Sequence, residues 1–381
     1  MDPVREVAEL TARLVAIESV NPAIVPGGSG EVAIARFVAE WCDNAGLAVS
    51  AEAVAPGRTN VVAVARGRGG GRSLLLNGHT DTVGVEGMDA PFAGRLEGSR
   101  LHGRGAYDMK GGLAACMLAA ADAARAGLAG DVVLTAVADE EHASLGTAAV
   151  AAAIAADAAI VAEPSEQRVA VAHRGFVHAE IELTGRAAHG SRPELGVDAI
   201  ARMGRVLTGL EALDRRLRDG AGRPYVGTGS LHASLIEGGQ EFSSYPARCA
   251  VQIERRTVPG ETVDGVQAEL EGLVADARAA GDDFGGAVRV LLAREPFAID
   301  PDAEIARLVR RHAAAVLGRQ PEIAGVPYWA DSSLLAAAGI PTVIYGPGGE
   351  GAHADCEWVD VDDLARCRAV YLAVARELCG G

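Results

Sequence analysis

Aromatic side chains are scarce, at 4% of the 381 residues, so any core must be built mainly from Ala, Val and Leu. The 49% hydrophobic content supplies such a core and excludes a disordered chain. Cysteine is sparse too: Cys42, Cys116, Cys249, Cys356, Cys367 and Cys379 are scattered without a C-x-x-C pair. That excludes a disulfide framework and reads as free thiols in a reducing cytoplasm. Basic charge is in deficit, with 35 Lys and Arg against 51 Asp and Glu and a net charge of −16. Nucleic acid and anionic membrane both need a basic field, so neither is expected as a partner. An acidic excess fits carboxylates gathered around cations. Long apolar runs are missing: Thr147 to Glu163 is mostly Ala and is interrupted by Asp157. The first residues mix charge with apolar positions at helical spacing and lack the pattern of a secretion signal. A G-x-S-x-G motif and a strand–G-x-G-x-x-G–helix unit are both missing, against a serine hydrolase and a dinucleotide binder.

The length suggests two domains at about 150 residues each. The first half alternates helix-like stretches (5–18, 31–46, and a long Ala/Leu run after Lys110) with strand-like ones (Val61–Ala65, Ser73–Leu76, Asp131–Val137, Ala158–Ala162). This is the rhythm of an α/β layer protein. From about Gly175 the order becomes β-α-β-β-α-β, a compact two-layer α+β unit. After Pro296 the α/β rhythm returns. The expectation is a catalytic domain in two parts, 1–173 and 294–381, with a smaller domain of residues 174–293 inserted between them.

Five stretches carry the chemistry. In Leu74-Leu-Leu-Asn-Gly-His-Thr-Asp81, a strand runs into His79 and Asp81, which alternation puts on one face. An imidazole beside a carboxylate is a common way of fixing a metal-binding tautomer. Asp108, in Gly103-Arg-Gly-Ala-Tyr-Asp-Met-Lys-Gly-Gly112, precedes a long helix and reads as a helix cap or a ligand. Glu140 and Glu141 follow a strand in adjacent positions, so one can ligate while the other handles protons. Glu163 ends a short buried strand before Pro164. His353 returns late, in Gly351-Ala-His-Ala-Asp355. Four strand ends thus deliver His, Asp, Glu and Glu, and strand carboxyl ends are where open α/β sheets place their sites. Two His and three carboxylates suit a pair of divalent ions. His102, His142, His173, His178, His232 and His312 read as structural or exposed, and Cys356 as a small packed side chain.

Taken in order, N-G-H-T-D-T-V, G-R-G-A-Y-D-M-K-G-G, A-D-E-E, A-E-P-S and G-A-H-A resemble the dinuclear-zinc amidohydrolase and peptidase family. That family includes acetylornithine deacetylase, succinyl-diaminopimelate desuccinylase, aminoacylase and glutamate carboxypeptidase. The motifs run from about residue 74 to 358. The resemblance implies a zinc-exopeptidase-like α/β fold, with a central, mostly parallel sheet and helices on both faces. The inserted α+β domain would be a lid and dimerisation domain, making the protein a homodimer. It implies His79 and Glu163 on one ion, Glu141 and His353 on the other, Asp108 bridging, Asp81 orienting His79, and Glu140 as general acid/base. The ions would be zinc, with cobalt or manganese as alternatives. His189, in Gly185-Arg-Ala-Ala-His-Gly-Ser-Arg-Pro193, would stabilise the oxyanion, often from the partner subunit. Arg256 would receive a substrate carboxylate. Ser243-Ser-Tyr-Pro246 departs from the family's Asn-x-x-Pro, so Ser243 takes that contact or recognition differs. Asp331 would bind a basic substrate side chain or cap the following helix. The implied reaction is hydrolysis of an N-acyl amino acid. The alternatives are a dipeptidase, carboxypeptidase or aminopeptidase with the same centre, and a metal-binding protein without catalysis. Glu140, which metal binding does not require, argues against the last.

Overall fold

The computed structural model describes residues 2–279 and 284–381. Met1 and positions 280–283, which fall within the segment expected to form the inserted domain, lie outside the described residues. In chain order the elements are α1 (Pro3–Val15), α2 (Val32–Asn44), β1 (Ala48–Ala55), β2 (Arg58–Ala65), β3 (Leu74–His79), β4 (Arg95–Glu97) and β5 (Arg100–His102). There follow α3 (Gly111–Ala126), β6 (Val132–Val137), α4 (Leu145–Ala153), β7 (Ala158–Val161) and β8 (Val169–His173). Next come β9 (Gly175–Thr184), α5 (Ala199–Asp219), β10 (Ser230–Gly238), β11 (Arg248–Thr257), α6 (Val263–Ala279) and β12 (Gly285–Arg294). The chain ends with β13 (Phe297–Ala298), α7 (Glu304–Leu317), β14 (Ile323–Val326), α8 (Ser332–Ala337), β15 (Thr342–Ile344), β16 (Gly349–Glu350), β17 (Trp358–Asp360) and α9 (Val361–Leu378). Aspartates start several helices. Asp2, Asp198 and Asp360 each accept a main-chain N–H of the first turn, satisfying donors that have no partner within the helix.

Contacts divide the chain into two units. The first holds residues up to Val171 together with Ile299–Ala324 and Ala330–Gly381; the second holds Ala172–Ala298 and Gly325–Trp329. Gly325–Trp329, expected with the second part of the catalytic domain, therefore groups with the second unit. Its backbone runs against Tyr225, where a Cβ on Gly325 would lie 2.5 Å from the Tyr225 carbonyl oxygen.

The sheet of the first unit runs β1-β2-β6-β3-β7-β15-β8. It is mixed: β6, β3, β7 and β15 are mutually parallel, whereas β1, β2 and β8 join antiparallel. Leu74, Leu76, Leu134, Ala136, Ile160 and Ala162 share one core with α1, α2, α3, α7 and α9. The alternate residues Leu75, Val133, Ala159 and Val161 are buried as well, and α4 and α8 pack against these strands. Burial on both faces explains why the central strands read as continuous apolar runs rather than alternating ones. In the second unit the antiparallel sheet β10-β11-β9-β12 carries α5 and α6. Along β9 burial alternates residue by residue; Val177, Ala179, Ile181 and Leu183 join Met203, Val206 and Leu270 in a separate core. No described helix is long and apolar enough to cross a membrane.

Candidate active site

Strand register sets the site. In the parallel ladders His79 lies opposite Val137, and Asn77 opposite Val161. The residues just beyond β6 (Asp139, Glu140, Glu141) and beyond β7 (Glu163) therefore emerge level with His79 at the carboxyl edge. Two glycines allow the close approach there. A Cβ on Gly112 would sit 2.2 Å from the Ala162 carbonyl oxygen, and one on Gly346 2.2 Å from that of Glu163.

The five expected ligands form two groups that share one residue: His79, Asp108 and Glu163; and Asp108, Glu141 and His353. His79 Nε2 is 3.1 Å from Asp108 Oδ1 and 3.6 Å from Glu163 Oε1. His353 Nε2 is 3.3 Å from the other oxygen, Asp108 Oδ2, and 3.1 Å from Glu141 Oε2. Asp108 thus turns one carboxylate oxygen to each group. His79 Nδ1 donates to the Asp81 carbonyl at 3.0 Å, which leaves Nε2 facing the carboxylates. The Asp81 carboxylate lies 3.6 Å from the same nitrogen and also accepts the main-chain N–H groups of Glu140 and Glu141. The Asp81 carboxylate thus lies between the histidine and the acidic turn. The Glu140 carboxylate belongs to neither ligand group.

Electrostatics agree with a cation site. Burial, together with the Asp108 charge, raises the carboxyls of Glu141 and, well above the usual range, Glu163. Burial likewise holds Glu140 well above its usual range, with the charges of Glu163, Asp331 and Glu141 adding to it. His353 is pushed up to about 10 by its hydrogen bonds to Asp108 and Glu141. Burial would lower His79, but Asp108, Glu163, Glu140 and Asp81 outweigh it and hold the imidazole well above its usual range. Both imidazoles are thereby biased toward the charged form in the metal-free chain, where divalent cations would neutralise the same carboxylates. Nitrogen and carboxylate oxygen donors without a thiolate fit first-row divalent ions. Asp139 and His353 occupy the left-handed region at φ of 68° and 62°, backbone strain of the kind that collects at functional sites.

Several supporting residues escaped the sequence reading. Arg58 and Glu31 form a buried pair at 2.5 Å. Arg58 also donates to Asn21 and lies 3.2 Å from Asp139, and Asn21 donates in turn to Asp81 and Asp139. The compact Ser19-Val-Asn-Pro22 turn was the available signal. Lys110 is fully buried, donates to the Ile17 carbonyl, and is lowered to about 7 by burial. Asp331 is enclosed, at 1% exposure, and its Oδ2 accepts the Thr147 hydroxyl at 2.6 Å. It makes no side-chain cap to α8, so the capping role is not found.

The other expected residues lie in the second unit. His189 is exposed, with Nδ1 2.8 Å from the Ser191 hydroxyl. Its strand-like bridge to Ser244, and the Gly190 N–H donated to the Ser243 carbonyl at 2.7 Å, bring the His189 and Ser243 loops together. Arg256 donates to Glu254 at 2.7 Å and stacks over Phe176. Its neighbour Arg255 is fully buried against Glu261 and Glu269.

A carboxylate shared between two histidine–carboxylate groups at the carboxyl edge of the parallel strands is the ligand arrangement of a two-metal hydrolase. Residues 75–377 match the profile of peptidase family M20/M25/M40, and the chain belongs to that family. It is an enzyme of metal-dependent amide hydrolysis. An acetylornithine deacetylase of Myxococcus xanthus is 32% identical over 337 residues, covering 85% of each chain. A deformylase of N-formyl-4-amino-5-aminomethyl-2-methylpyrimidine from Halalkalibacterium halodurans is 28% identical, over 90% of this chain and 88% of that one. The fold is shared with a dinuclear metal-binding peptidase of the same family from Bacillus subtilis, with a TM-score of 0.75 and 18% identity over 100% of this chain and 99% of that one.

Proposed function

We propose that the enzyme removes a small acyl group from the nitrogen of an amino acid, releasing carboxylate and free amine. The observation that carries this reading is the shared Asp108 between two ligand groups, with Glu140 beside them and in neither. Two relatives named for removing acetyl and formyl groups support a small acyl substrate over a peptide. His79, Asp108 and Glu163 would hold one divalent ion, and Asp108, Glu141 and His353 the second; zinc fits the donors best, with cobalt or manganese as alternatives. Bound there, the ions would acidify a water and polarise the amide carbonyl.

Glu140 takes the proton of the attacking water as its oxygen bonds to the carbonyl carbon. It returns that proton to the amide nitrogen as the C–N bond breaks, so the products are a carboxylic acid and an amine. His189 donates to the oxygen that gains charge, and Arg256 receives the substrate carboxylate after releasing Glu254. Ser243, on the loop whose backbone pairs with that of His189, would offer a hydroxyl to the substrate. The second unit then serves as lid and dimer surface. β10, an edge strand exposing Leu235 and Ile236 at 65% and 56%, supports a second copy there. Sedimentation showing a stable monomer under assay conditions would remove the dimer. The six free thiols support a cytoplasmic setting.

The test is a panel of N-acetyl, N-formyl and N-succinyl amino acids alongside dipeptides, each assayed with Zn²⁺, Co²⁺ and Mn²⁺. Turnover concentrated on acyl amino acids supports the reading. Turnover confined to dipeptides replaces it with a dipeptidase.

A further inference from the structure

Among the buried charges that the reaction does not use, one pair joins loops that carry different ligands. Arg104 and Glu357 are 3% and 1% exposed, and Arg104 Nη1 donates to Glu357 Oε2 at 2.7 Å. The same Oε2 accepts the Gly105 N–H at 3.0 Å. Oε1 accepts the N–H groups of Tyr107 and Asp108 at 2.9 and 3.0 Å. The Glu357 carboxylate therefore grips the backbone that presents Asp108 through three main-chain donors, Gly105, Tyr107 and Asp108, and the guanidinium. Arg104 continues outward: Nη2 donates to the Ala354 carbonyl at 2.9 Å, and Nε to the Gly84 carbonyl at 2.9 Å. Ala354 follows His353, and Gly84 lies three residues past Asp81.

We infer that the Arg104–Glu357 pair is a positioning device that sets the His353 loop against Asp108, and with it the spacing of the two metal positions. This rests on the ligand assignment proposed above. A fold prop could sit anywhere along these loops; this pair bonds to Asp108 itself and to the residue after His353. His353 also needs holding, because its left-handed backbone at φ 62° is unfavourable for a residue with a Cβ. A buried ion pair is weak support for stability by itself, because desolvation offsets its attraction, so a role in geometry better accounts for its placement.

Glu357→Gln is the sharpest probe. Whichever way its amide turns, the NH₂ end meets two groups that are themselves donors, and half of the grip is lost. The metal-stripped full-length chain would be titrated with Co²⁺ by calorimetry and by d–d absorption, with far-UV circular dichroism and melting followed in parallel. One of the two binding steps is expected to weaken by about 10–100-fold, the usual cost of losing a partner behind a ligand, with an altered cobalt spectrum. Arg104→Lys keeps the buried charge but cannot reach Glu357, Gly84 and Ala354 together; at least about a tenfold loss is expected, and it carries the test if Glu357→Gln does not reach a native spectrum.

Arg368→Ala is the structural control. It breaks the Arg368 pairs with Asp122 and Glu6 in the same unit, and should lower the melting temperature with wild-type cobalt affinity. If the Glu357 and Arg104 variants behave like this control, the inference is overturned. Asp108→Ala separates the two failures. If it also binds both equivalents as the wild type does, the ligand assignment falls; if it loses an ion while Glu357→Gln does not, only the positioning role falls.

Discussion

Replacing Glu140 by Gln tests the reaction with little disturbance to the fold. What Asp81 holds at this position is the main-chain N–H, at 3.1 Å, and a side-chain substitution leaves it in place. The carboxylate is absent from both ligand groups, so ion binding does not depend on it. Gln is nearly isosteric with Glu and keeps a polar side chain at this position. The change therefore removes proton transfer and leaves shape and metal. A positioned acid–base group contributes about 10²–10⁴-fold. At about 1.36 kcal/mol per tenfold, that is about 3–5.5 kcal/mol of transition-state stabilisation. The loss should fall in kcat, with KM little changed, because the group acts while the proton moves. The assay is steady-state kinetics on the best acyl amino acid of the panel, with metal content by elemental analysis on the same sample. Near wild-type kcat with two ions bound would refute the assignment, and the proton would have to travel through another residue.

Three further outcomes are expected. Arg58→Ala leaves Glu31 and Asp139 buried without their cation, and should cost about 3–5 kcal/mol in urea unfolding; a loss under about 1 kcal/mol would show that the pair is not buried as described. Stripping metal should lower the melting temperature: binding at a hundredfold excess over Kd contributes about 2.7 kcal/mol, and at about 2–4 °C per kcal/mol the shift is about 5–10 °C, whereas coincident melts would mean that the groups hold no ion. Metal uptake should release protons. His353 is raised to about 10, so it is protonated at pH 7 in the metal-free chain and must lose that proton to ligate. Apparent affinity should therefore rise with pH from 7 toward 10, and calorimetry in buffers of different ionisation enthalpy counts the protons; a pH-independent affinity would contradict the pairing with Asp108 and Glu141.

Local structure was legible because its causes are local. The long Ala/Leu helix after Lys110 is α3, and the short buried strand before Glu163 is β7. The β-α-β-β-α-β order is the antiparallel second sheet with α5 and α6. β1 went unread: its residues are mostly exposed, so neither a buried run nor alternation marked it. The motif residues were legible by type, since His, Asp and Glu following apolar strands stand out against an Ala-rich background.

The sequence by itself determined element type and the placing of chemically able residues at strand ends, because periodicity and chain connectivity act over a few residues. Tertiary structure decided which carboxylate oxygen meets which imidazole. That depends on β3 lying between β6 and β7, and on a loop returning from residue 353, neither of which leaves a local trace. It also decided the pairs Arg58 with Glu31 and Arg104 with Glu357, separated by 27 and 253 residues. A buried charge is stable only where the fold brings its partner, and nothing in the neighbouring sequence says how far along the chain that partner will be.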